Sequence, residues 1–548
     1  MKYSKIVFTI FTLFNLVLYA LLFVPAALAS SSNELPTLIK KLGGPSRRTI
    51  LKAVKKLGDL ENPKAIASLE ALLTRRLRVD QKGNVYILNQ SETKAYDAIT
   101  GEPYKGELDN LNTPIINNRV RRAIKLTLAR LRLKSKDPGV RLKAAQELAN
   151  TPQRHIEQDI ERAYNQEKDP QVRKYLAIAL ALVQIDSPNL KKRLKAIELL
   201  GKSGNPKFLP LLKQILTKDN HGKFLEPSPQ IREAAFKSIK AIERHMLLIS
   251  IVRNLFYGIS LGSVLLLASL GLAITFGLMG VINMAHGEML MLGAYSAYVV
   301  QNLFKQFFPA FFNWYIIAAI PIAFIVPALV GMFLERTIIR YLYGRPLETL
   351  LATWGISLIL IQTVRLIFGA QNVEIANPSW LSGGIAVTDG LFLTHNRIFI
   401  ILFAIFVVLL IWLLLNRTSL GLLVRAVTQR RSTAATMGIF TSKVDMWTFA
   451  LGSGIAGLGG LALSQIGNVG PELGQSYIVD AFMVVVLGGV GKLAGTIVGS
   501  FGLGIINKFL EPFTGAVLGK IFVLIFIILF IQKRPQGIFA IKGRVADE

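Results

Sequence analysis

The sequence predicts an all-α protein in which a polytopic membrane domain follows a polar helical-repeat domain with a small β insertion. Apolar runs succeed one another from Leu247 to Ile531, whereas residues 33–245 are rich in Lys, Arg, Glu and Asn. Hydrophobic residues make up 52% of the 548 residues and the mean hydropathy is +0.45, which is too apolar for one ordinary soluble domain. Four segments of the polar part also share a proline followed by an amphipathic helical pattern.

The amino terminus has the pattern of a secretory signal. Two lysines precede an apolar stretch from Ile6 to Phe23, and the small residues of "PAALAS" follow it. We expect cleavage after Ala29, so that residues 1–29 are a signal peptide. An uncleaved signal anchor is the alternative, because the stretch is long enough to span a bilayer. In both cases residues 30–245 are expected outside the cytoplasm.

Residues 30–245 carry a weak repeat. "DPGVRLKAAQELA", "DPQVRKYLAIALALV", "SPNLKKRLKAIELLG" and "SPQIREAAFKSIKAI" each place Asp or Ser and then Pro before an amphipathic helix. Proline suits the first turn of a helix, and the preceding Asp or Ser can cap it. The domain therefore resembles HEAT-like repeats, which stack helix pairs around a continuous core. A further helical hairpin is predicted over 46–74, and the turn signals of 77–106 predict the β insertion.

Composition excludes several kinds of site. The chain has no cysteine, which excludes disulfides, thiolate metal sites and cysteine nucleophiles. The net charge of +29 does not by itself indicate nucleic acid, because no recognition motif accompanies it. "GGVGK" resembles a nucleotide-binding loop, but Leu493 follows Lys492 where Ser or Thr is needed. We therefore expect no enzyme, no metal and no bound cofactor.

The apolar segments after residue 246 fit membrane spans, each of which takes about 20 residues. The loops 335–346 and 416–443 and the tail 532–544 are basic and are expected in the cytoplasm, whereas the loop 369–390 has no Lys or Arg and is expected outside. An external amino-terminal domain and a cytoplasmic carboxyl terminus require an odd number of spans, and about nine fit. They are predicted at 247–273, 279–300, 314–336, 349–368, 398–416, 447–466, 478–493, 495–510 and 516–532.

Four blocks of the membrane domain resemble the branched-chain amino acid permease family of ABC importers. They are "GLAITFGLMGVINMAHGEMLMLGAY", "LLATWGISLILIQ", "GLLVRAVTQRRSTAATMGI" and "DAFMVVVLGGVGKLAGTIVGS", and their order and spacing agree with the family over essentially all of 247–548. Within the family, "NPSWLSGG" and "LGQSYIVDAFMVVVLGGVGKLAGT" are similar to the urea permease subgroup. The resemblance implies a permease subunit that translocates urea across the bacterial inner membrane.

The resemblance also implies the partners. These are a second, unlike permease subunit that completes a heterodimer, two cytoplasmic ATPase subunits that hydrolyse the ATP, and a periplasmic urea-binding protein. The remaining expected contact is membrane lipid, with no nucleic acid. Three other functions stay open: a branched-chain amino acid or short-chain amide permease of the same family, a passive channel or secondary carrier, and a receptor whose helical domain binds the solute-binding protein.

The cytoplasmic loop from Leu420 to Phe440 is the candidate for ATPase coupling. The family usually has an acidic residue after the "RAV" block, whereas this chain has Gln429 and two arginines, so the charge complementarity with the ATPase is expected to differ. Arginines would face an acidic partner and small residues would permit close contact. An ordinary basic loop is the alternative. The candidate residues are Arg425, Arg430, Arg431, Ala434, Ala435 and Gly438.

A path for urea needs amides, hydroxyls and carboxylates, because urea is neutral and both donates and accepts hydrogen bonds. Polar groups within membrane spans are costly and usually face an interior or a cavity. The candidate path residues, inside or at the ends of spans, are Asn283, His286, Glu288, Thr353, Ser357, Gln362, Asn468, Gln475 and Asp480.

The segment "VINMAHGEML" sets a geometric constraint on this path. His286 and Glu288 lie about 200° apart around a helix axis, so a straight helix cannot aim both at one cavity. We therefore expect a helix break or a helix end near Gly287. The alternative role for these residues and Asn283 is a hydrogen-bond network that holds the span to its neighbours.

Overall fold

The structure is a computed structural model that describes residues 34–388 and 390–539. The chain divides into two compact units that meet between Met246 and Leu247. The expected signal peptide and the end of the basic tail lie outside the described residues.

The amino-terminal unit is built mainly from short helices. Buried Leu57, Leu148 and Ile197 belong to three separate apolar clusters along the chain, so each group of neighbouring helices has its own core. The helices are α1 (34–42), α2 (Arg47–Asp59), α3 (Ala65–Leu73), α4 (Asn118–Arg132), α5 (Pro138–Asn150), α6 (Glu157–Gln166), α7 (Pro170–Gln184), α8 (Leu190–Lys202), α9 (Leu209–Ile215) and the first turns of α10 (Pro229–Met279).

Side-chain caps start the proline-led helices. Asp137 Oδ1 accepts from the Gly139 N–H at 2.8 Å, and Asp169 Oδ1 accepts from the Gln171 N–H at 2.9 Å, as the sequence predicts. The prediction is wrong for the third repeat, in which Ser187 was expected to cap. There Asn189 Oδ1 accepts from the Lys191 N–H at 3.0 Å, so α8 begins after the proline rather than with it.

A three-stranded antiparallel sheet confirms the predicted β insertion. Its strands β1 (Leu77–Val79), β2 (Val85–Leu88) and β3 (Ala95–Asp97) follow one another in space as in sequence. Asp80 Oδ1 accepts from the Asn84 N–H at 2.8 Å and closes the turn between the first two strands.

In the second unit, long apolar helices pack around a glycine-rich one, α17. A side chain at Gly457 or Gly460 would meet a backbone carbonyl of α12 or α11, so glycine permits these helices to touch. The helices are α11 (His286–Phe307), α12 (Tyr315–Thr337), α13 (Pro346–Phe368), α14 (His395–Arg417), α15 (Ser419–Gln429), α16 (Arg431–Thr436), α17 (Thr441–Ser464), α18 (Leu473–Gly488) and α19 (Leu493–Lys533), with a hairpin of β4 (Gly384–Thr388) and β5 (Leu391–Thr394).

Six helices within the described residues are long and apolar enough to cross a membrane, namely α10, α12, α13, α14, α17 and α19. Helix α11 does not meet the same criteria, and α18 has only 16 residues. Each of the nine predicted spans overlaps a helix or part of one. The number of spans stays a prediction.

Helix α19 doubles back at Gly515. This residue has φ 76° and ψ 167°, a conformation that favours glycine. Leu503 and Ile527 pack in one apolar cluster, although a straight helix would hold them about 36 Å apart. The two arms of α19 therefore correspond to the predicted spans 495–510 and 516–532.

Candidate functional site

Helix α11 begins within the segment "VINMAHGEML". Gly280 ends α10 with φ 70°, residues 280–283 are not helical, and α11 starts at His286. The expected helix end near Gly287 is therefore confirmed.

His286 and Glu288 face different neighbours. His286 Nε2 lies 2.9 Å from the carbonyl oxygen of Ala268 on α10, and because a carbonyl only accepts, Nε2 carries the proton. Glu288 Oε1 instead accepts from Ser357 Oγ on α13 at 2.9 Å. The histidine thus holds α11 to α10, while the glutamate lies between α11 and α13.

Three of the expected path residues lie where α11 begins beside α13, and a fourth, Asn283, directly precedes Met284 in the chain. The Met284 N–H donates to Thr353 Oγ1 at 3.1 Å, one turn before the Glu288 to Ser357 hydrogen bond. The four side chains are at most 3% exposed. We call Asn283, Glu288, Thr353 and Ser357 the polar seam.

Two atoms of the polar seam are left without partners. Asn283 Nδ2 and Glu288 Oε2 make no hydrogen bond with any described residue. Buried polar atoms in proteins are nearly always paired, so Asn283 Nδ2 and Glu288 Oε2 each have a hydrogen-bonding capacity that the described residues leave unused.

Helix α18 closes one side of the seam. Gly287 and Gly474 touch backbone to backbone, and a Cβ added at Gly474 would lie 2.8 Å from Glu288 Oε2. The absence of a side chain there lets the beginnings of α11 and α18 approach each other.

The other expected path residues lie elsewhere. Asp480 is buried but forms an ion pair with Lys520 of α19, Nζ to Oδ2 2.8 Å. Gln362 and Gln475 are exposed. Asn468 is also exposed. It lines a polar cavity of about 380 Å³ together with Asn372, Glu472, Ser476 and Tyr477. The structure therefore does not bring these four residues to the seam.

Sequence reasoning missed three polar residues of this unit. Tyr295 lies two turns after Glu288 on the same face of α11, a seven-residue spacing that could have revealed it. Gln301 Oε1 accepts from the Ala376 N–H at 2.6 Å. Arg397 is partly buried on α14, with its guanidinium carbon 4.7 Å from the centre of the Tyr257 ring.

The expected coupling loop forms the two short helices α15 and α16. Arg425, Arg430, Ala435 and Gly438 are exposed. A surface groove of about 430 Å³ runs beside them, and Met437 on its edge is 78% exposed.

One coupling residue is corrected by the structure. Arg431 was expected to be free for an acidic partner, but it forms an ion pair with Asp445, which is 2% exposed and needs a counter-charge. Ala434, expected to permit close contact, is buried in an apolar cluster with Val424 and Val444 and also lines the groove.

Arg431 also links α16 to the start of α13. Its guanidinium lies 4.7 Å from the centre of the Tyr343 ring, and Tyr343 OH donates to Glu335 Oε1 of α12 at 3.3 Å. The adjacent Leu342 carbonyl accepts from Thr349 Oγ1 at 3.0 Å, one turn before Thr353 of the polar seam. A continuous set of contacts therefore connects the coupling helices to the seam.

Comparison with known proteins identifies the family of this unit. Residues 254–531 match the family described as "Branched-chain amino acid transport system / permease component". The chain belongs to this family of permease components. The matched residues include the polar seam and the coupling helices α15 and α16, whereas the amino-terminal unit lies outside the match.

Curated relatives of this permease component are transport proteins. The chain is 28% identical over 293 residues to the high-affinity branched-chain amino acid transport system permease protein BraD of Pseudomonas aeruginosa, covering 52% of this chain and 95% of that protein. It is 28% identical over 295 residues to the corresponding protein LivH of Escherichia coli strain K12, with 52% and 94% covered. A probable branched-chain amino acid transport permease protein of Methanocaldococcus jannaschii is also 28% identical, and the alignment covers 52% of this chain and 90% of that protein. None of these names describes an enzyme.

Proposed function

We propose that this permease component is the membrane subunit of an ATP-binding cassette importer that translocates urea across a bacterial inner membrane. The observation that carries the proposal is the pair of partnerless atoms in the polar seam. Asn283 Nδ2 can donate to the urea oxygen, and Glu288 Oε2 can accept from a urea N–H.

The charge of the seam supports a neutral solute. Asn283, Glu288, Thr353 and Ser357 supply an amide, a carboxyl and two hydroxyls, with no Lys or Arg among them. An amino acid carries a carboxylate as well as an ammonium group, and a buried carboxylate needs a cationic or multiple hydrogen-bond partner.

Burial of the seam supports alternating access. The Glu288 and Ser357 side chains are closed to solvent, so a solute reaches them only when α11 and α13 separate. Movement of α16 would reach this point through Arg431, Tyr343 and the first turns of α13.

The proposed assembly supplies the energy and the solute. A second permease subunit forms a heterodimer with this chain, two cytoplasmic ATPase subunits bind near α15 and α16, and a periplasmic urea-binding protein delivers the solute. In this arrangement residues 1–29 are a signal peptide, residues 30–245 form a periplasmic HEAT-like domain, residues 246–548 form the permease domain, and the carboxyl terminus is cytoplasmic.

A branched-chain amino acid is the second candidate solute. The names of the relatives favour it, and so does Arg397, whose guanidinium lies beside Tyr257 and 3.4 Å from Ser260 Oγ. No carboxylate lies within ion-pairing distance of Arg397 among the described residues. This cation could receive the carboxylate of an amino acid.

Uptake into right-side-out vesicles separates the two solutes. Vesicles containing this chain with its neighbouring subunits enclose ATP and receive labelled urea or labelled leucine from outside. The proposal expects ATP-dependent uptake of urea that Arg397→Gln leaves intact and Glu288→Ala abolishes. Uptake of leucine alone, lost in Arg397→Gln, would replace urea by the second candidate, and uptake without ATP would indicate a channel or a secondary carrier.

A further inference from the structure

Two clefts flank Arg130 in the amino-terminal unit. The first, of about 420 Å³, lies against α5 and α6 and is lined by Lys134, Arg141 and Glu167 among others. The second, of about 570 Å³, lies between α2, α4 and the segment 153–155. We call this second one the α2–α4 cleft.

Most of the charge of the first cleft is paired. Arg141 Nε lies 2.8 Å from Glu167 Oε2, Arg130 Nη2 lies 2.6 Å from Asp159 Oδ2, and Lys134 forms an ion pair with Glu61. Three of its five cations thus have carboxylate partners, and Arg162 and Lys168 are the two described lining cations without an ion pair.

The α2–α4 cleft is not balanced. Lys55, Arg119 and Arg122 line it, and none of them has a carboxylate partner within the described residues. The one carboxylate among its described lining residues, Asp59, lies 3.4 Å from Arg130. Arg119 and Arg122 are three residues apart on α4, where like charges repel. An anion placed between them would relieve that repulsion.

The surrounding charge strengthens the cleft. Residues 34–246 contain 42 Lys and Arg against 23 Asp and Glu, so the long-range field of the whole unit also attracts anions. Field lines concentrate in a concave site more than on a flat face. The α2–α4 cleft therefore combines a concave shape with three described cations that have no carboxylate partner, one more than the first cleft has.

The cleft also contains two partly exposed apolar side chains. They are Leu51 of α2 and Ala123 of α4. A free inorganic anion would leave these two side chains uncovered, whereas a chain segment that alternates acidic and apolar side chains would cover them as well as the cations. The concave shape also suits a protruding segment better than a flat lipid surface.

We infer that the α2–α4 cleft binds a short acidic segment of a partner protein. Its carboxylates contact Lys55, Arg119 and Arg122, and one apolar side chain packs on Leu51 and Ala123. The inference does not depend on the transported solute, because the cleft lies wholly in the amino-terminal unit.

His155 adds a pH dependence to this binding. Partial burial, followed by repulsion from Lys55 and Arg130, lowers the pKa of His155 below its ordinary 6.5, while Asp59 and Asp159 act in the opposite direction. The histidine is therefore neutral at pH 7. A bound carboxylate would raise this pKa, so binding takes up a proton and becomes tighter as the pH falls through the pKa that His155 has in the complex.

Fluorescence anisotropy tests the inference. A labelled peptide of glutamates with interspersed leucines is titrated with the full-length protein in nanodiscs of neutral lipid. We expect saturable binding that weakens with salt, and a loss of about tenfold or more in affinity for Arg119→Ala/Arg122→Ala. The exposed arginines should be replaceable without loss of folding, and Arg119→Lys/Arg122→Lys should keep most of the affinity.

The controls separate the cleft from general charge. Lys202→Ala/Lys207→Ala removes two cations from the same unit outside the cleft and should leave the affinity within about twofold. A serine and leucine peptide should not bind. Equal affinity for the acidic peptide in Arg119→Ala/Arg122→Ala, or an equal loss in Lys202→Ala/Lys207→Ala, would overturn the inference.

Competitors distinguish the source of the anion. Inorganic phosphate, added at the same total negative charge as the peptide, should displace the peptide only weakly. Vesicles made of neutral lipid mixed with the anionic lipid phosphatidylglycerol should bind the wild-type protein and Arg119→Ala/Arg122→Ala equally. Displacement of the peptide by phosphate at similar concentration, or vesicle binding that depends on the two arginines, would overturn the assignment to a protein segment.

Discussion

Ser357 Oγ on α13 donates a hydrogen bond to Glu288 Oε1 on α11, and both side chains are buried. The Met284 N–H makes a parallel contact with Thr353 on the same face of α13. These two hydrogen bonds hold α11 and α13 together at the point where two further polar atoms have no protein partner. The seam thus combines a contact between two helices with two polar atoms whose hydrogen-bonding capacity is unused.

Replacing Ser357 with Ala should reduce urea uptake. A hydrogen bond to a carboxyl group contributes about 1.5–3 kcal/mol, and its loss leaves Glu288 with fewer partners. We expect initial uptake rates to fall by about tenfold, with Ser357→Thr restoring most of the rate because it keeps the hydroxyl. The measurement is uptake of labelled urea into vesicles at matched protein content.

The matched control for Ser357 lies on the same helix. Thr363 is exposed and its hydroxyl donates to the Ile359 carbonyl, so Thr363→Ala should leave uptake nearly unchanged. Equal rates for Ser357→Ala and wild type would show that the seam hydrogen bond has no part in transport.

Replacing Gly474 with Ala should separate the beginnings of α11 and α18. The added methyl group would meet the Gly287 carbonyl and lie 2.8 Å from Glu288 Oε2, so the backbone must shift. We expect a thermal midpoint lowered by several degrees, corresponding to about 1–3 kcal/mol, and strongly reduced uptake. Gly467→Ala is the control, because no atom lies within 4 Å of a Cβ built there. An unchanged midpoint in Gly474→Ala would contradict the close packing.

Replacing Asp445 with Asn should weaken coupling between ATP hydrolysis and transport. Asp445 is the ion-pair partner of Arg431, which joins α16 to α17 and to Tyr343. The arginine left behind is 45% exposed and is partly solvated by water, so the loss of the ion pair costs about 1 kcal/mol and mainly frees Arg431 from α17. We expect more ATP hydrolysed per urea transported, with Asp445→Glu restoring part of the ratio.

The control for Asp445 is an exposed ion pair. Arg345 and Glu348 are both more than half exposed, so Glu348→Gln should change neither uptake nor the hydrolysis ratio. If Asp445→Asn reached the membrane in normal amount and kept the wild-type ratio, the link through Arg431 would be excluded.

Glu167 should make the amino-terminal unit sensitive to acid. Hydrogen bonds from Arg141 hold the pKa of Glu167 below its ordinary 4.5, with a smaller opposing effect of burial. A carboxyl group with a lowered folded pKa stabilises the fold above its unfolded pKa, and this contribution disappears as the pH falls through the folded value. We expect the protection of α5 and α7 amides from hydrogen exchange to decrease below about pH 4.5.

The variant Glu167→Gln tests this origin. At pH 7 it should lower the local unfolding free energy by about 2 kcal/mol and remove part of the decrease in protection below pH 4.5. Glu233→Gln, in the fully exposed pair with Lys237, should have little effect. An identical acid response in wild type and Glu167→Gln would assign the sensitivity to other groups.

Much of the local structure was predictable because it depends on neighbouring residues. Asp137 and Asp169 cap helices by reaching amides two residues ahead, and the turn at Asp80 is equally local. The angle between His286 and Glu288 follows from helix geometry alone, which is why a helix end could be expected before their partners were known.

The partners themselves were not predictable. In the sequence, Arg431 is one of several loop arginines, and only the fold places the buried Asp445 carboxylate beside it. Asp480 was predicted to be a path residue, but the reversal of α19 at Gly515 places Lys520 beside it. The first contact joins residues that are 14 positions apart in the chain, and the second joins residues that are 40 positions apart. Both separations exceed the range of any local sequence pattern.

The sequence by itself determined the division into a polar and an apolar half, the helical character of both, and the family of the apolar half, because hydropathy, periodicity and signature blocks are properties of consecutive residues. The tertiary structure decided which polar side chains meet. A buried polar group needs a partner, and the packing of helices distant in sequence decides which partner lies beside it. That packing placed Ser357 beside Glu288, left Gln362 and Gln475 exposed, and paired the exposed Arg431 with the buried Asp445.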